Sequence, residues 1–215
     1  MEAFEYSLAG VVLLITFWLL IARRIRGAIN GYGFQSIVLA AIAAATFVQS
    51  SRLHLLLLAI SSFVIKGIVI PVVLRRQVRA TVFDKRETHY YVGFPTALLI
   101  GMGLSIAGFV SANQLAITKD LLGQPVSGVA ISVILIGFFI AVARSDAVMQ
   151  LTGLLVAENG LLLLGLVMSA GLGLLVDFAL LLDVLVGAVV MGFLIARMNT
   201  TIMSTDTGEL TRLRG

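Results

Sequence analysis

Seven stretches of this 215-residue chain are long and apolar enough to cross a lipid bilayer, and they limit the possible folds more than any other feature. A membrane-spanning helix needs about 20 consecutive, mostly apolar residues. Hydrophobic residues make up 60% of the chain and charged residues 12%, whereas soluble domains average about 25% charged residues. The sequence therefore predicts an all-α integral membrane protein of about seven transmembrane helices. The predicted spans are Ser7–Ala22, Gly31–Ser50, Leu55–Leu74, Gly93–Ala112, Ser127–Ala143, Ala147–Ala170 and Leu175–Ala196.

The distribution of lysine and arginine predicts the orientation of these spans, because positive residues concentrate in cytoplasmic loops. With the N-terminus outside, only Arg52 and Lys119 fall outside and Lys66 falls within a helix. The C-terminal tail, residues 198–215, is then cytoplasmic. The first span follows Glu2 and Glu5 rather than a basic segment, which predicts a retained helix and not a signal peptide. The basic residues placed inside are Arg23, Arg24, Arg26, Arg75, Arg76, Arg79, Lys85, Arg86, Arg144, Arg197, Arg212 and Arg214.

The order of the spans suggests a duplicated unit. A three-helix unit in residues 1–76 is followed by a basic loop and a linker helix in residues 77–126, and a second three-helix unit occupies residues 127–197. Both units run from outside to inside, as in the parallel repeats of some transporters. The alternative is that any hydrophobic bundle with alternating loops gives this pattern. The basic loop is either a topology signal or a docking surface for a cytoplasmic partner.

Composition excludes several kinds of function. The chain contains no cysteine, so disulfides, thiolate metal sites and cysteine nucleophiles are ruled out. The net charge of +4 comes from basic clusters at helix ends, which is a topology signal and not the footprint of a nucleic-acid-binding surface. No nucleophile with its base, metal cluster or phosphate loop is visible. The sequence therefore predicts a non-catalytic chain that binds no metal or cofactor of its own.

Three ionisable residues, Lys66, Glu158 and Asp183, fall deep within predicted spans. A charge at the centre of a helix costs at least about 2.5–3.5 kcal/mol to insert, and such residues mark ion pathways by default. Burial in general raises the pKa of a carboxyl group and lowers that of an amine, which suits both groups to proton exchange. The hypothesis is a proton path through these three residues. The alternative is a static ion pair that holds helices together.

Four further residues are candidates for supporting that path with polar groups beside it. Gln35 and Asn159 can hydrogen-bond across helices, and Asp177 lies about one turn from the predicted outer edge. Pro71 lacks a backbone N–H and frees the carbonyl of Gly67, next to Lys66.

Short motifs are distributed along the whole chain. They are Phe63-Val64-Ile65-Lys66 with Pro71 and Arg75-Arg76, Ala157-Glu158-Asn159-Gly160, Asp183 with Val189-Val190-Met191, Leu194 and Ala196-Arg197, and the ending Gly208–Gly215. In this order the motifs resemble component E of hydrogenase 4, a membrane subunit of formate hydrogenlyase-type, group 4 nickel–iron hydrogenase complexes. The last three spans are also similar to the K-type small subunit of respiratory complex I and the C-type subunit of multi-subunit sodium–proton antiporters.

This resemblance implies a subunit of a proton-pumping arm in a bacterial or archaeal cytoplasmic membrane. Glu158 matches the first mid-membrane glutamate of the K-type subunit, Asp183 stands for the second with a shorter side chain, and Gln35 stands near where an acid of the first unit is expected. The implied partners are antiporter-like and quinone-site-like membrane subunits and a peripheral module that holds the nickel–iron centre and iron–sulfur clusters.

Alternative functions remain open from the sequence. The first is a scaffold subunit of the same type of complex, whose buried charges only fix helix positions. The second is a subunit of a multi-subunit cation/proton antiporter, and the third is an independent small-solute carrier. A proton is the expected ion because acids and a lysine suffice to move it, and sodium is the alternative.

Overall fold

The computed structural model describes residues 2–80, 92–114 and 123–168, and the elements within these ranges are helical. One stretch has π-helical winding, Ser62–Val69, and it joins two α-helices without a break. The α-helices are α1 Glu2–Ile21, α2 Ile25–Ser50, α3 Leu53–Ser61, α4 Ile70–Ala80, α5 Phe94–Gln114, α6 Gly123–Ala143 and α7 Ala147–Met168.

Five helical segments among the described residues are long and apolar enough to cross a membrane, and a sixth apolar helix, Tyr6–Ile21, is shorter. These six correspond to the first six predicted spans, and they define a multi-pass helical membrane protein. The seventh predicted span, Leu175–Ala196, and the tail lie outside the described residues. The five longer segments are Ile25–Ser50, Leu55–Arg76, Phe94–Gln114, Pro125–Ala143 and Val148–Val167.

Several helices extend beyond their predicted apolar spans. The second helix begins at Ile25 rather than Gly31, and the helix that contains Lys66 continues through Arg75 and Arg76 to Ala80. The difference arises because a search for apolar residues finds the part of a helix that suits a bilayer, whereas arginine and glutamine are also good helix formers. The basic region after the third span is therefore helical up to Ala80 within its described part.

The π-helical segment keeps a ladder of residues on one buried face. In an α-helix of about 3.6 residues per turn, a step of four residues overshoots one turn by about 40°. The wider π-helix has about 4.4 residues per turn, so the same step falls roughly 30° short. The ladder contains two α-helical steps and two π-helical steps, so the overshoot and the shortfall nearly cancel. Its residues therefore stay on one side of the helix. Its members, all buried, are Leu58, Ser62, Lys66, Ile70 and Leu74.

Helices α6 and α7 pack closely through glycines. A Cβ atom added at Gly153 would lie 2.5 Å from the backbone nitrogen of Ala141, and one added at Gly160 would lie 2.7 Å from that of Ile134. Both distances are too short for a real side chain, so these positions require glycine. Small residues at membrane helix interfaces allow this close backbone approach. The packing fixes α7 inside the described bundle. The buried share is 78% for the Val148–Val167 segment of α7 and 17% for the Phe94–Gln114 segment, α5.

Two arginine side chains bring three helix termini to the same end of the bundle. The buried Arg144, directly after α6, donates hydrogen bonds to the carbonyl oxygens of Leu20 at 3.2 Å and Ala22 at 2.5 Å, at the end of α1. The Arg23 guanidinium lies 5.9 Å from the centre of the Phe94 ring, at the start of α5. The ends of α1 and α6 and the start of α5 therefore share one side, in agreement with the alternation predicted for these spans.

Candidate functional site: a buried ion pair with a polar chain

An ion pair lies inside the bundle between the π-helical segment and α7. The Lys66 ammonium nitrogen, Nζ, is 3.2 Å from the carboxylate oxygen Oε1 of Glu158, and the two side chains are 2% and 4% exposed. Lys66 is held there by the buried ladder of its own helix, and Glu158 by the glycine contacts between α6 and α7. The two helices thus meet at one positive and one negative charge.

Asn159 extends this pair toward α2. Its side-chain oxygen accepts a hydrogen bond from Lys66 Nζ at 3.4 Å. Its side-chain nitrogen donates to Gln35 Oε1 and to Ser36 Oγ, each at 3.1 Å. One amide therefore contacts the lysine on one side and two polar residues of α2 on the other.

Gln35 continues the chain of contacts to α1. Its Nε2 donates to Thr16 Oγ1 at 2.8 Å and to the carbonyl oxygen of Val12 at 3.5 Å. Thr16 itself donates to the same Val12 carbonyl at 2.8 Å. A continuous line of buried polar side chains thus runs through four helical segments. We call this set the polar chain, and its members are Thr16, Gln35, Ser36, Asn159, Lys66 and Glu158.

Two members of the polar chain are ionisable, and the others are neutral. Lys66 and Glu158 are its ionisable members, and the attraction between their charges is strengthened because both side chains are buried away from bulk solvent. Asn159 and Gln35 each offer a donor and an acceptor, so they can orient their neighbours but do not gain or lose protons at ordinary pH. The proton-exchanging chemistry of the described site is therefore confined to the lysine and the glutamate.

The structure brings together four of the candidate residues identified from sequence, namely Lys66, Glu158, Asn159 and Gln35. Pro71 lies just beyond the π-helical segment and packs against α2, where a Cβ atom on Gly33 would lie 2.9 Å from the proline ring. It therefore helps to seat this helix against α2. Asp183 and Asp177 lie outside the described residues.

Thr16 and Ser36 belong to the polar chain but were not identified from sequence. Thr16 is a hydroxyl residue in the middle of an apolar helix, and Ser36 follows Gln35 directly. Both also donate to a carbonyl four residues earlier, which is a common local arrangement in helices. The sequence alone therefore does not distinguish them from hydroxyl residues that bond only within their own helix.

The described residues contain no group of three or more histidine, cysteine, aspartate or glutamate side chains that could hold a metal ion. The polar groups of the polar chain are two amides, two hydroxyls, one amine and one carboxylate. This set favours hydrogen bonding and proton exchange over metal coordination.

The helices and the polar chain define a class of protein: a multi-pass helical membrane protein with an ion pair buried among its spans. Known proteins of similar sequence align with nearly the whole chain. The chain is 29% identical over 208 residues to the uncharacterized protein Rv0085 of Mycobacterium tuberculosis, with 96% of this chain and 94% of that protein aligned. It is 24% identical over 210 residues to hydrogenase-4 component E of Escherichia coli and of Shigella flexneri, with 97% of this chain and 96% of each relative aligned.

The similarity to hydrogenase-4 component E agrees with the resemblance inferred from the sequence motifs and extends over nearly the whole chain. No family model matches the chain. No solved structure matches it either.

Proposed function

We propose that the chain is a non-catalytic membrane subunit of a group 4, formate hydrogenlyase-like hydrogenase complex. Two findings support this proposal. The chain aligns over nearly its whole length with hydrogenase-4 component E, and its described helices suit a membrane-embedded subunit. In this role the chain carries no redox centre, and partner subunits hold the nickel–iron centre and the iron–sulfur clusters.

The proposed contribution of the chain is a set of titratable residues in a proton path. The observation that carries this proposal is the 3.2 Å contact between Lys66 and Glu158 inside the bundle. An ion pair in a medium of low polarity responds strongly to any movement of water or of a neighbouring charge. Proton uptake by Glu158, or proton loss by Lys66, replaces the ion pair with a pair that bears a net charge. Asp183 is the proposed second acid of the path.

Asn159 and Gln35 act as positioning residues in this scheme. Asn159 accepts from the Lys66 ammonium and is itself fixed by Gln35 and Ser36. The lysine can therefore exchange its proton while its position is maintained by neutral groups.

The proposed setting is a bacterial or archaeal cytoplasmic membrane. The chain has seven spans there, with the N-terminus outside and residues 198–215 in the cytoplasm. Antiporter-like and quinone-site-like membrane subunits and a peripheral hydrogenase module are its partners. The proton is the proposed ion, because the polar chain offers an acid and a base rather than the shell of oxygen ligands that a bare metal cation requires.

Glu158→Gln tests the role of the ion pair. Glutamine keeps the volume of the glutamate and one acceptor oxygen for Lys66, but it does not take up a proton. The variant complex is therefore expected to assemble and to make hydrogen, while the number of protons moved per hydrogen molecule falls. Both quantities are measured in sealed membrane vesicles, with Asp146→Asn as a matched control at the start of α7. Normal proton movement in the Glu158→Gln complex would contradict the proposal.

A second candidate function, a scaffold subunit of the same type of complex, is favoured by the way the polar chain joins four helical segments. In that case the ion pair serves to fix helix positions. The same Glu158→Gln variant separates the two functions, because a scaffold loses assembly of the complex before it loses proton movement. Native electrophoresis of solubilised membranes measures that assembly.

A further inference from the structure

The buried face that presents Lys66 also carries Ser62, one turn earlier on the same ladder. Ser62 is fully buried, with 0% of its surface exposed. Its hydroxyl oxygen has no hydrogen-bond partner among the residues that the structure describes. Buried hydroxyls with no partner are uncommon and costly, and one explanation of such a group is a bound water.

Other hydroxyl residues in the described helices donate a hydrogen bond to a carbonyl of their own helix, whereas Ser62 does not. Thr16, Ser36, Thr46 and Thr152 each donate to the carbonyl four residues earlier. For Ser62 that carbonyl belongs to Leu58. It already accepts from Ser61 Oγ at 3.0 Å and from the backbone N–H of Ser62. The Leu58 oxygen therefore already accepts from two donors, one of them the neighbouring Ser61 hydroxyl.

The winding of the helix places Ser62 on the same buried face as Lys66. Both Ser62 and Lys66 lie in the π-helical segment, where four residues make slightly less than one turn. Both side chains are therefore directed to the interior from successive turns of one face. A hydroxyl without a partner in the described part of the chain thus lies on the same buried face as Lys66, one turn away.

We propose that the Ser62 hydroxyl binds a water molecule that serves as the proton-exchange partner of Lys66. The transport role of this water rests on the proposed function, whereas its binding rests on the structure alone. In the exchange step the Lys66 ammonium transfers one proton to the water, giving a neutral amine and a hydronium ion, and the reverse transfer restores the ammonium. Ser62 neither gains nor loses a proton. It is a positioning residue that holds the water by one hydrogen bond.

The test uses three variants of the intact complex. Ser62→Ala removes the hydroxyl and Ser62→Thr keeps it. Ser105→Ala removes a hydroxyl on α5 that is also buried and has no hydrogen-bond partner within the described ranges. Loss of one neutral hydrogen bond to the water is expected to slow proton movement in vesicles by about three- to tenfold in Ser62→Ala. Ser62→Thr is expected to restore the rate, and Ser105→Ala to leave it unchanged.

A second measurement does not depend on transport. A high-resolution cryo-electron microscopy map of the complex is expected to show a water about 2.7–3.0 Å from Ser62 Oγ, and the map of Ser62→Ala is expected to lack it. A protein atom at that position, or equal rates in Ser62→Ala and Ser105→Ala, would overturn the inference. These results are distinguishable from failure of the proposed function, because that failure appears as normal proton movement in Glu158→Gln.

Discussion

Lys66 and Glu158 are 92 positions apart in the sequence, and the structure places them 3.2 Å from each other with both side chains buried. This contact joins the π-helical segment to α7. Removal of one partner from a buried ion pair typically costs about 3–5 kcal/mol, whereas replacement of both partners by apolar groups is often neutral. The energetics of the pair can therefore be tested separately from its role in proton movement.

The first prediction concerns the stability of this pair. Lys66→Met leaves Glu158 buried without its cation, and we expect it to lower the free energy of unfolding by about 3–5 kcal/mol. The double variant Lys66→Met with Glu158→Leu is expected to recover most of the loss. Denaturant unfolding of the purified protein in detergent measures both values. Arg76→Met, at an exposed position, is the control. A double variant that is less stable than Lys66→Met would contradict the prediction.

The second prediction concerns the link between Asn159 and Gln35. Their hydrogen bond of 3.1 Å crosses from α7 to α2. A double-mutant cycle with Asn159→Ala and Gln35→Ala is expected to give a coupling free energy of about 0.6–1.7 kcal/mol. Thr46, also buried on α2, donates to the Ile42 carbonyl oxygen of its own helix. A parallel cycle of Asn159→Ala with Thr46→Ala should therefore be additive. Equal coupling in the two cycles would show that the polar chain is not a specific connection.

The third prediction concerns the glycine contacts between α6 and α7. The Cβ atom of Gly153→Ala would lie 2.5 Å from the Ala141 nitrogen, so the helices must separate. Overpacking of this kind typically costs about 1–3 kcal/mol. Gly103→Ala on α5 meets nothing within 4 Å and should be neutral or stabilise the helix by about 0.5–1 kcal/mol. Thermal unfolding of the two variants compares these effects, and equal melting temperatures would argue against close packing of α6 and α7.

The fourth prediction concerns Arg144. Its guanidinium donates to Leu20 and Ala22 at the C-terminus of α1, where carbonyl groups lack partners in the helix and carry partial negative charge. Each hydrogen bond to a charged group contributes about 1.5–3 kcal/mol. We therefore expect Arg144→Met to destabilise the protein by at least about 2 kcal/mol and to speed hydrogen exchange in the last turn of α1. Exposed Arg76→Met supplies the control, and exchange in α1 that is the same in both variants would exclude this capping role.

The fifth prediction concerns orientation in the membrane. The chain has no cysteine, so single cysteines can be labelled without background. An impermeant maleimide added to intact spheroplasts is expected to label Arg52→Cys, and to label Arg24→Cys only after permeabilisation. Both positions are exposed. The opposite labelling pattern would reverse the proposed topology.

Much of the architecture could be predicted from the sequence because membrane spans have a simple signature. Runs of apolar residues located six helices that the structure describes, and charge within such runs identified Lys66 and Glu158. The exact ends of the helices could not be read in this way. Ile25–Asn30 in α2, for example, contains an arginine, a glycine and an asparagine, and helix formation there depends on packing as well as on apolar content.

The pairing within the polar chain could not be predicted from residue types alone. Nothing in the sequence specifies that Lys66 faces Glu158, or that Asn159 reaches both Lys66 and α2. That geometry depends on glycine contacts between α6 and α7 and on the π-helical segment. The sequence analysis did not predict this segment, because its residues are ordinary for a membrane helix. The sequence feature that accompanies it is the spacing of four between the buried residues Leu58, Ser62, Lys66, Ile70 and Leu74.

The π-helical segment has a consequence for the length of this part of the chain. Loss or gain of one residue between Ser62 and Val69 would rotate one half of the helix against the other by roughly a quarter of a turn or more. Apolar side chains such as Phe63 and Ile65, now on the outer surface, would then compete with Lys66 for the interior. Substitutions among these outer residues leave that arrangement intact, whereas a single-residue deletion does not. The number of residues in this segment is therefore under tighter constraint than the identity of most of them.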